Sequence, residues 1–200
     1  MKELRSFTKV LLRSLAICVA LSLSISLSAE ATELAAQESN TQWTRLEGEN
    51  RYETTKDISQ TGYSQANKAI IATGKNYPDA LAASALAGVN DCPILLTDPN
   101  TASQQMLDEV QRLGVQSVYL VGGEGAISSS VANTIAGIIG SSNVIRISGT
   151  TRYETAEAIY REGIDHWGDT AILTTALGYA DALSVSPYAY AINAPVFLCN

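Results

Sequence analysis

Histidine is nearly absent from this chain, with one, His166, in 200 residues. A histidine pair for zinc is therefore excluded. There is no G-x-S-x-G elbow, and His166 stands beside Trp167 in a stretch that reads as loop, so nucleophilic catalysis finds no support. Cysteine is scarce too. Cys18 lies in a leading apolar run, and Ile17 before it is not the small residue a lipoprotein site requires. Cys92 and Cys199 remain, with neither a disulfide framework nor metal spacing. Basic residues are outnumbered: 13 Lys and Arg against 20 Asp and Glu give a formal charge of −7. Residues 1–31 hold four of the basic and two of the acidic side chains, so without them the charge is about −9. That surface does not suit nucleic acid, whose binding is dominated by phosphate neutralisation. Recognition of an anion would need local basic groups.

Long apolar runs are also missing, save one. Lys2, Arg5, Lys9 and Arg13 make a basic start, and residues 11–27 are apolar with interspersed serines. Ala29-Glu30-Ala31 puts small residues where a signal peptidase reads, so residues 1–31 are read as a signal peptide cleaved after Ala31. A retained anchor is the alternative, but the run is short and serine-diluted for a spanning helix. No membrane partner is expected after cleavage. Residues 32–42 read as a polar linker.

What the chain does have is internal repetition. Residues 69–73 read as an apolar strand, followed by a glycine turn, Tyr77-Pro78-Asp79 at a helix start, and a strand from Pro93. Near the end the same order returns, with Asp181, Leu183 and Pro195 matching Asp79, Leu81 and Pro93 at one offset. A second block, Asn50-Arg51-Tyr52-Glu53, returns as Thr151-Arg152-Tyr153-Glu154; both fit a capping box. Trp43 to Gly48 reads as a short strand. Strands at 69–73, 93–97, 117–121 and 143–147 alternate with helices from about 51 to 60, 78–89, 103–113 and 128–139. Short apolar strands alternating with helices predict a mostly parallel sheet covered on both faces, a three-layer α/β sandwich. One repeat, residues 43–145, is whole. The second, 146–200, is half of one and leaves an open sheet edge. A truncated product or a fragment is the expectation, or a remnant packing on the first unit or another chain.

Each motif has a structural and a functional reading. Asp79 and Asp181 occupy first turns, where the helix dipole favours a carboxylate. They also follow the C-terminal ends of parallel strands, where α/β sheets bind ligands. Tyr77 and Tyr179 precede them by two residues, and tyrosine faces suit sugar rings. Arg51 and Arg152 sit at helix starts, where a cation is disfavoured, so their repetition needs a cause. The nearby Glu, an aspartate of a neighbouring loop, and a phosphate or carboxylate ligand are all open partners. Gly122-Gly123-Glu124-Gly125 follows a strand as phosphate loops do, but it lacks the fingerprint and Glu124 repels phosphate; a sharp turn is the simpler reading.

The ordered blocks R-x-x-G-x-x-R-Y-E-T (from Arg45), G-x-x-Y-P-D-A-L (from Gly74), P-I-L-L (from Pro93) and V-G-G-x-x-A-I-S (from Val121) resemble the type 2 cell wall-binding repeat of Gram-positive surface proteins. The second copy supplies its own blocks from Arg146 and Gly178. The resemblance implies a Rossmann- or Toprim-like module, usually in three copies, that anchors exported proteins non-covalently to anionic secondary cell wall polymer. Carried across, the polymer-binding residues are Arg51, Tyr52, Tyr77, Asp79, Pro93, Ile94, Leu95 and Leu96, with Arg152, Tyr153, Tyr179, Asp181 and the 195–198 segment in the second copy. This chain has about one and a half copies, Ala180 in place of Pro78, and Val196-Phe197 in place of Ile94-Leu95. The expected protein is secreted, located at the wall or surface, non-catalytic and without a cofactor. An extracellular hydrolase or nucleotide enzyme, and a structural unit self-associating through its incomplete second module, are the alternatives.

Overall fold

A computed structural model describes residues 43–200. The proposed signal peptide and linker lie outside the described residues. The chain divides into Met1–Arg45 and Leu46–Asn200. Of the former only residues 43–45 are described, without regular structure and with Trp43 92% exposed. No strand forms over 43–48, contrary to the sequence expectation. The counterpart of this stretch in the second repeat, β4 below, pairs with a strand of the repeat before it.

In Leu46–Asn200 the order is α1 (Arg51–Gly62), β1 (Lys68–Thr73), α2 (Pro78–Ala82), α3 (Ser84–Val89), β2 (Ile94–Thr97), α4 (Gln104–Leu113), β3 (Ser117–Val121), α5 (Ser129–Ile139), a 3₁₀ turn (Ser141–Asn143), β4 (Val144–Ile147), α6 (Arg152–Glu162), β5 (Ile172–Thr175), α7 (Ala180–Ile192) and β6 (Val196–Cys199). The first four strands form one parallel sheet in the order β2-β1-β3-β4, and β5 and β6 form a parallel pair. Ile70 lies opposite Ile94 and Tyr119, and Ile172 opposite Val196, so the two copies pair their strands alike.

Successive residues of a strand face opposite ways, and this assigns the layers. Ile71, Leu95, Val118 and Leu120 pack on Met106, Val110 and Leu113 of α4 and on Val131 and Ile135 of α5. Ile70, Tyr119, Val121 and Ile147 pack on Ala82, Ala83 and Leu86 and also on Ala156 and Ile159 of α6. The third layer of the first repeat is thus completed by a helix of the second. β4 likewise crosses the repeat boundary at 145/146 and hydrogen-bonds to β3. α1 guards the β2 edge, where Thr55 Oγ1 accepts from Leu96 N–H at 3.4 Å.

The helix expected over 78–89 is two. Ala83 sits at φ −79°, ψ −5°, its N–H is shared between Asp79 and Leu81 carbonyls, and Ser84 Oγ donates to Leu81 O at 2.8 Å. That hydroxyl competes with the backbone ladder and breaks the helix. In the second copy Ser186 Oγ instead donates to Ala182 O, one full turn back, and α7 runs unbroken for 13 residues despite Pro187. The capping boxes also differ. Thr151 and Glu154 form the complete reciprocal box. Asn50 caps Tyr52 and Glu53 N–H, but Glu53 reaches back one residue further, to Glu49 N–H at 2.9 Å.

Candidate functional site

The strand order reverses beside β1. The chain leaves β1 for β2 on one side through α2 and α3, then crosses to β3 through α4, packed on the opposite face. Where connections depart to opposite faces, their loops separate and leave a crevice beyond the strand C-termini. Here the two loops are 74–77 after β1 and 122–125 after β3.

The second loop requires glycine. Gly122 has φ +109°, and a Cβ on it would meet Asp79 Oδ2 at 2.7 Å and Ala126 Cβ at 2.8 Å. The Asp79 carboxylate is therefore packed against this turn. Arg146 Nη1 donates to Gly122 O at 2.8 Å and fixes the turn from β4. Asp79, Asn76, Gly123 and Gly125 then face Gly149, Thr150, Thr151 and Arg152 across a cavity of about 310 Å³. A neighbouring space of about 490 Å³ shares Asn76 and Asp79 and adds Lys75. On the other flank of the 74–77 loop a cleft of about 270 Å³ is lined by Arg51, Tyr77 and Leu96, among others.

Burial raises the Asp79 carboxyl above its ordinary range, and the positive charge of Arg152 pulls it partly back. Asp79 is half-buried and lines the cavity.

The arginines answer the question their positions raised. Arg152 Nη1 donates to Ala176 O at 2.8 Å, and Arg51 Nη1 donates to Gly74 O. Each pins the loop after the first strand of its own repeat. Glu53 and Glu154 are occupied with backbone N–H groups instead. Arg152 also acts across the repeat boundary, on Asp79 of the repeat before it.

The other predicted residues are distributed unevenly. Tyr77 and Tyr179 meet edge to face, with centroids 5.6 Å apart, and stay 37% and 57% exposed. Tyr52 packs against Gly74, where an added Cβ would meet its ring at 2.5 Å. Tyr153 donates from its hydroxyl to Asn200 Oδ1. Asp181 is exposed in the first turn of α7. Pro93 and Leu95 are buried and Ile94 and Leu96 half-buried; Leu95 is 1% exposed in the core. Of this segment Leu96 lines the Arg51 cleft, while the rest builds β2 and its entry. Pro195 and Val196 are also buried, and Phe197 packs on Tyr160. Sequence reasoning missed Lys75, Asn76 and the 149–151 turn. Lys75 stands where the second copy has Leu177, so a search keyed on repetition passes over it.

Another cleft, of about 390 Å³ and mostly apolar, lies between α1, α3 and α7 beside Cys92 and Pro93. It opens at the N-terminal end of β2, away from the crevice.

With the geometry in place, comparison with known proteins is decisive. The cell wall binding domain 2 (CWB2) model matches residues 45–132 and 146–200. The chain belongs to the CWB2 family. It is accordingly a wall-binding module of the bacterial surface. N-acetylmuramoyl-L-alanine amidase LytC of Bacillus subtilis (strain 168) is 34% identical over 158 residues, 78% of this chain and 31% of that protein. The amidase enhancer of the same organism is 30% identical over 154 residues, 77% and 21% of the two chains. Among solved structures, Cwp6 from Clostridium difficile superposes with a TM-score of 0.70 at 27% identity, over 82% of this chain and 27% of that one. Cwp8 from the same organism gives 0.72 at 26% identity, over 87% and 31%. The chain thus spans less than a third of the length of each of these relatives.

Proposed function

We propose that this CWB2 chain holds to the wall non-covalently by binding anionic secondary cell wall polymer in the crevice beyond β1 and β3, without turnover. The observation that carries the reading is the placing of Arg152 and Lys75 around the half-buried Asp79 at that rim. Local cations matter because the rest of the net charge is screened beyond a Debye length of about 8 Å at physiological salt, so the groups lining the crevice decide whether an anion is held. Arg152 and Lys75 meet the polymer anion, Asp79 accepts from sugar hydroxyls, and the exposed faces of Tyr77 and Tyr179 lie against sugar rings. The cavity lining holds one carboxylate and no histidine or cysteine, which supports retention over catalysis.

The test is sedimentation with purified Gram-positive walls before and after chemical extraction of their secondary polymers. The chain is expected to pellet with intact walls and to stay in solution with extracted ones. Equal pelleting would refute the polymer as ligand, and release of soluble fragments from the walls would favour the hydrolase alternative. An assembly role has one observation in its favour: β5 has an open edge, with Leu173 71% and Leu177 81% exposed beside it. Concentration-dependent elution in size exclusion would support that role.

A further inference from the structure

We infer that the apolar cleft between α1, α3 and α7 is a second binding site, separate from the crevice, and that it takes a small hydrophobic ammonium, a compact apolar body carrying one protonated amine. The inference does not depend on the polymer-binding reading above.

The cleft is walled by helices rather than loops. Ile58 of α1, Ala87 of α3, Pro93 and Ile94 at the entry of β2, and Pro187 of α7 supply its apolar surface. Two of the walls are held rigidly, because α3 and α7 approach backbone to backbone at Gly88 and Tyr190. Its volume of about 390 Å³ falls among small-molecule sites, which span about 300–1,000 Å³ and are mostly apolar with a few placed polar groups.

The polar groups are what select the ligand. Tyr190 donates from its hydroxyl to Asp91 Oδ1 at 3.3 Å, so the Tyr63 hydroxyl, 2.7 Å away, is the donor to Tyr190. The phenols agree with that direction: burial first and the bond to Tyr190 second raise Tyr63, whereas on Tyr190 burial raises and the bond from Tyr63 lowers. The other hydroxyl protons on the walls are also committed. Thr55 donates to Tyr52 O at 3.1 Å, Ser84 to Leu81 O at 2.8 Å and Ser186 to Ala182 O at 2.6 Å. A hydroxyl whose proton is committed can only accept. No lysine, arginine or histidine lines the cleft, and the charge nearest its tyrosine end is the exposed carboxylate of Asp91. A carboxylate or phosphate ligand would therefore find no cation and would meet Asp91. A hydrocarbon would displace water from the Tyr63 oxygen and return no hydrogen bond. An ammonium donates to that oxygen and lies in the field of Asp91, while its apolar body covers Ile94 and Pro187.

The test is amide chemical-shift titration of the isotope-labelled chain without residues 1–31, using phenethylammonium, phenethyl alcohol and hydrocinnamate, probes with similar bodies and different heads. Saturable shifts confined to 55–63, 84–94 and 186–190 are expected, strongest with the ammonium, weaker with the alcohol and absent with the carboxylate. Asp91 has φ +45°, a backbone that asparagine tolerates, so Asp91→Asn removes the charge without straining the turn. It should weaken the ammonium about two- to fivefold, the worth of a surface ion pair, and leave the alcohol unchanged. Ile58 is 49% exposed, so Ile58→Trp narrows the mouth from outside the core; it should abolish both sets of shifts and keep the wild-type circular dichroism spectrum and wall pelleting. No shifts with the ammonium, equal shifts with the carboxylate, or wild-type ammonium affinity in Asp91→Asn overturns the inference. So does a concentration-dependent dimer that Ile58→Trp disperses, because a second copy would then fill the cleft.

Discussion

Gly88→Ala is the substitution whose sign tests the packing of the two repeats. Gly88 lies in the last turn of α3, where alanine ordinarily stabilises a helix by about 0.5–1 kcal/mol. Here a Cβ would stand 2.2 Å from Tyr190 O and 2.9 Å from Tyr190 C, both backbone atoms of α7. A relaxed carbon–oxygen contact is about 3.3 Å, so the helices must part by about 1 Å. Parting packed surfaces by that much loses a quarter to a half of their dispersion attraction. Overpacking of this kind costs about 1–3 kcal/mol, which outweighs the propensity gain and leaves a net loss of about 1–2 kcal/mol. That lowers the melting midpoint by roughly 2–8 °C for a chain this size. The internal control is Gly137→Ala, in the last turn of α5, exposed, with nothing within 4 Å of its added Cβ; it should gain about 0.5–1 kcal/mol. Urea melts of the two variants suffice. If Gly88→Ala stabilises as Gly137→Ala does, α3 and α7 do not touch as described.

The remaining predictions concern charges and thiols. Glu109 is fully buried on α4; burial raises its pKa, but the Arg112 guanidinium, bonded at 2.6 and 2.8 Å, outweighs this and leaves it below the ordinary carboxylate value. Arg112→Ala should cost about 3 kcal/mol at neutral pH, the low end for breaking a buried pair because Arg112 is a third exposed. With a depressed folded pKa the pair's stabilisation is complete above the unfolded value near 4.3 and is lost as pH falls below it, so wild type and variant should converge in acid melts. Asp79 has the opposite sign: its raised folded pKa makes the wild type lose stability relative to Asp79→Asn as pH rises past the ordinary carboxylate value and through the raised one, and parallel pH–stability curves would contradict its burial. Burial pushes the Cys92 thiol up to about 12, outweighing the opposing Lys68, whereas Cys199 is exposed; thiol titration of the folded chain without residues 1–31 should find one fast group, and two fast groups would mean that the core around Cys92 is open.

The parallel strands, their order along the chain and the helix starts were legible because apolar runs and capping residues recur at a fixed offset. Two kinds of feature were not. Helix continuity across 78–89 depends on whether Ser84 bonds three residues back or its counterpart Ser186 four back, and both copies carry serine there, so composition is silent. Lys75 and the 149–151 turn belong to the crevice through topology, and neither is marked by repetition. Pro93 and Leu95 show the converse: a repeated segment whose constancy reflects a core strand and its entry, with little surface to offer a ligand.

The register of the repeat is where sequence and function part most sharply. Aligning the copies sets Asp79 over Asp181 and Arg51 over Arg152, and so groups aspartate and arginine within each copy. Folding displaces that grouping by one repeat: the guanidinium bonds to a carbonyl of its own copy while its charge acts on the carboxylate of the copy before. The displacement follows from β4, which opens the second copy in sequence but adds to the sheet of the first, carrying the start of α6 to the rim beyond β1 and β3. In this chain Asp79 and Arg152 therefore face one cavity from adjoining repeats, while Lys75 reaches the neighbouring space from the repeat that carries Asp79.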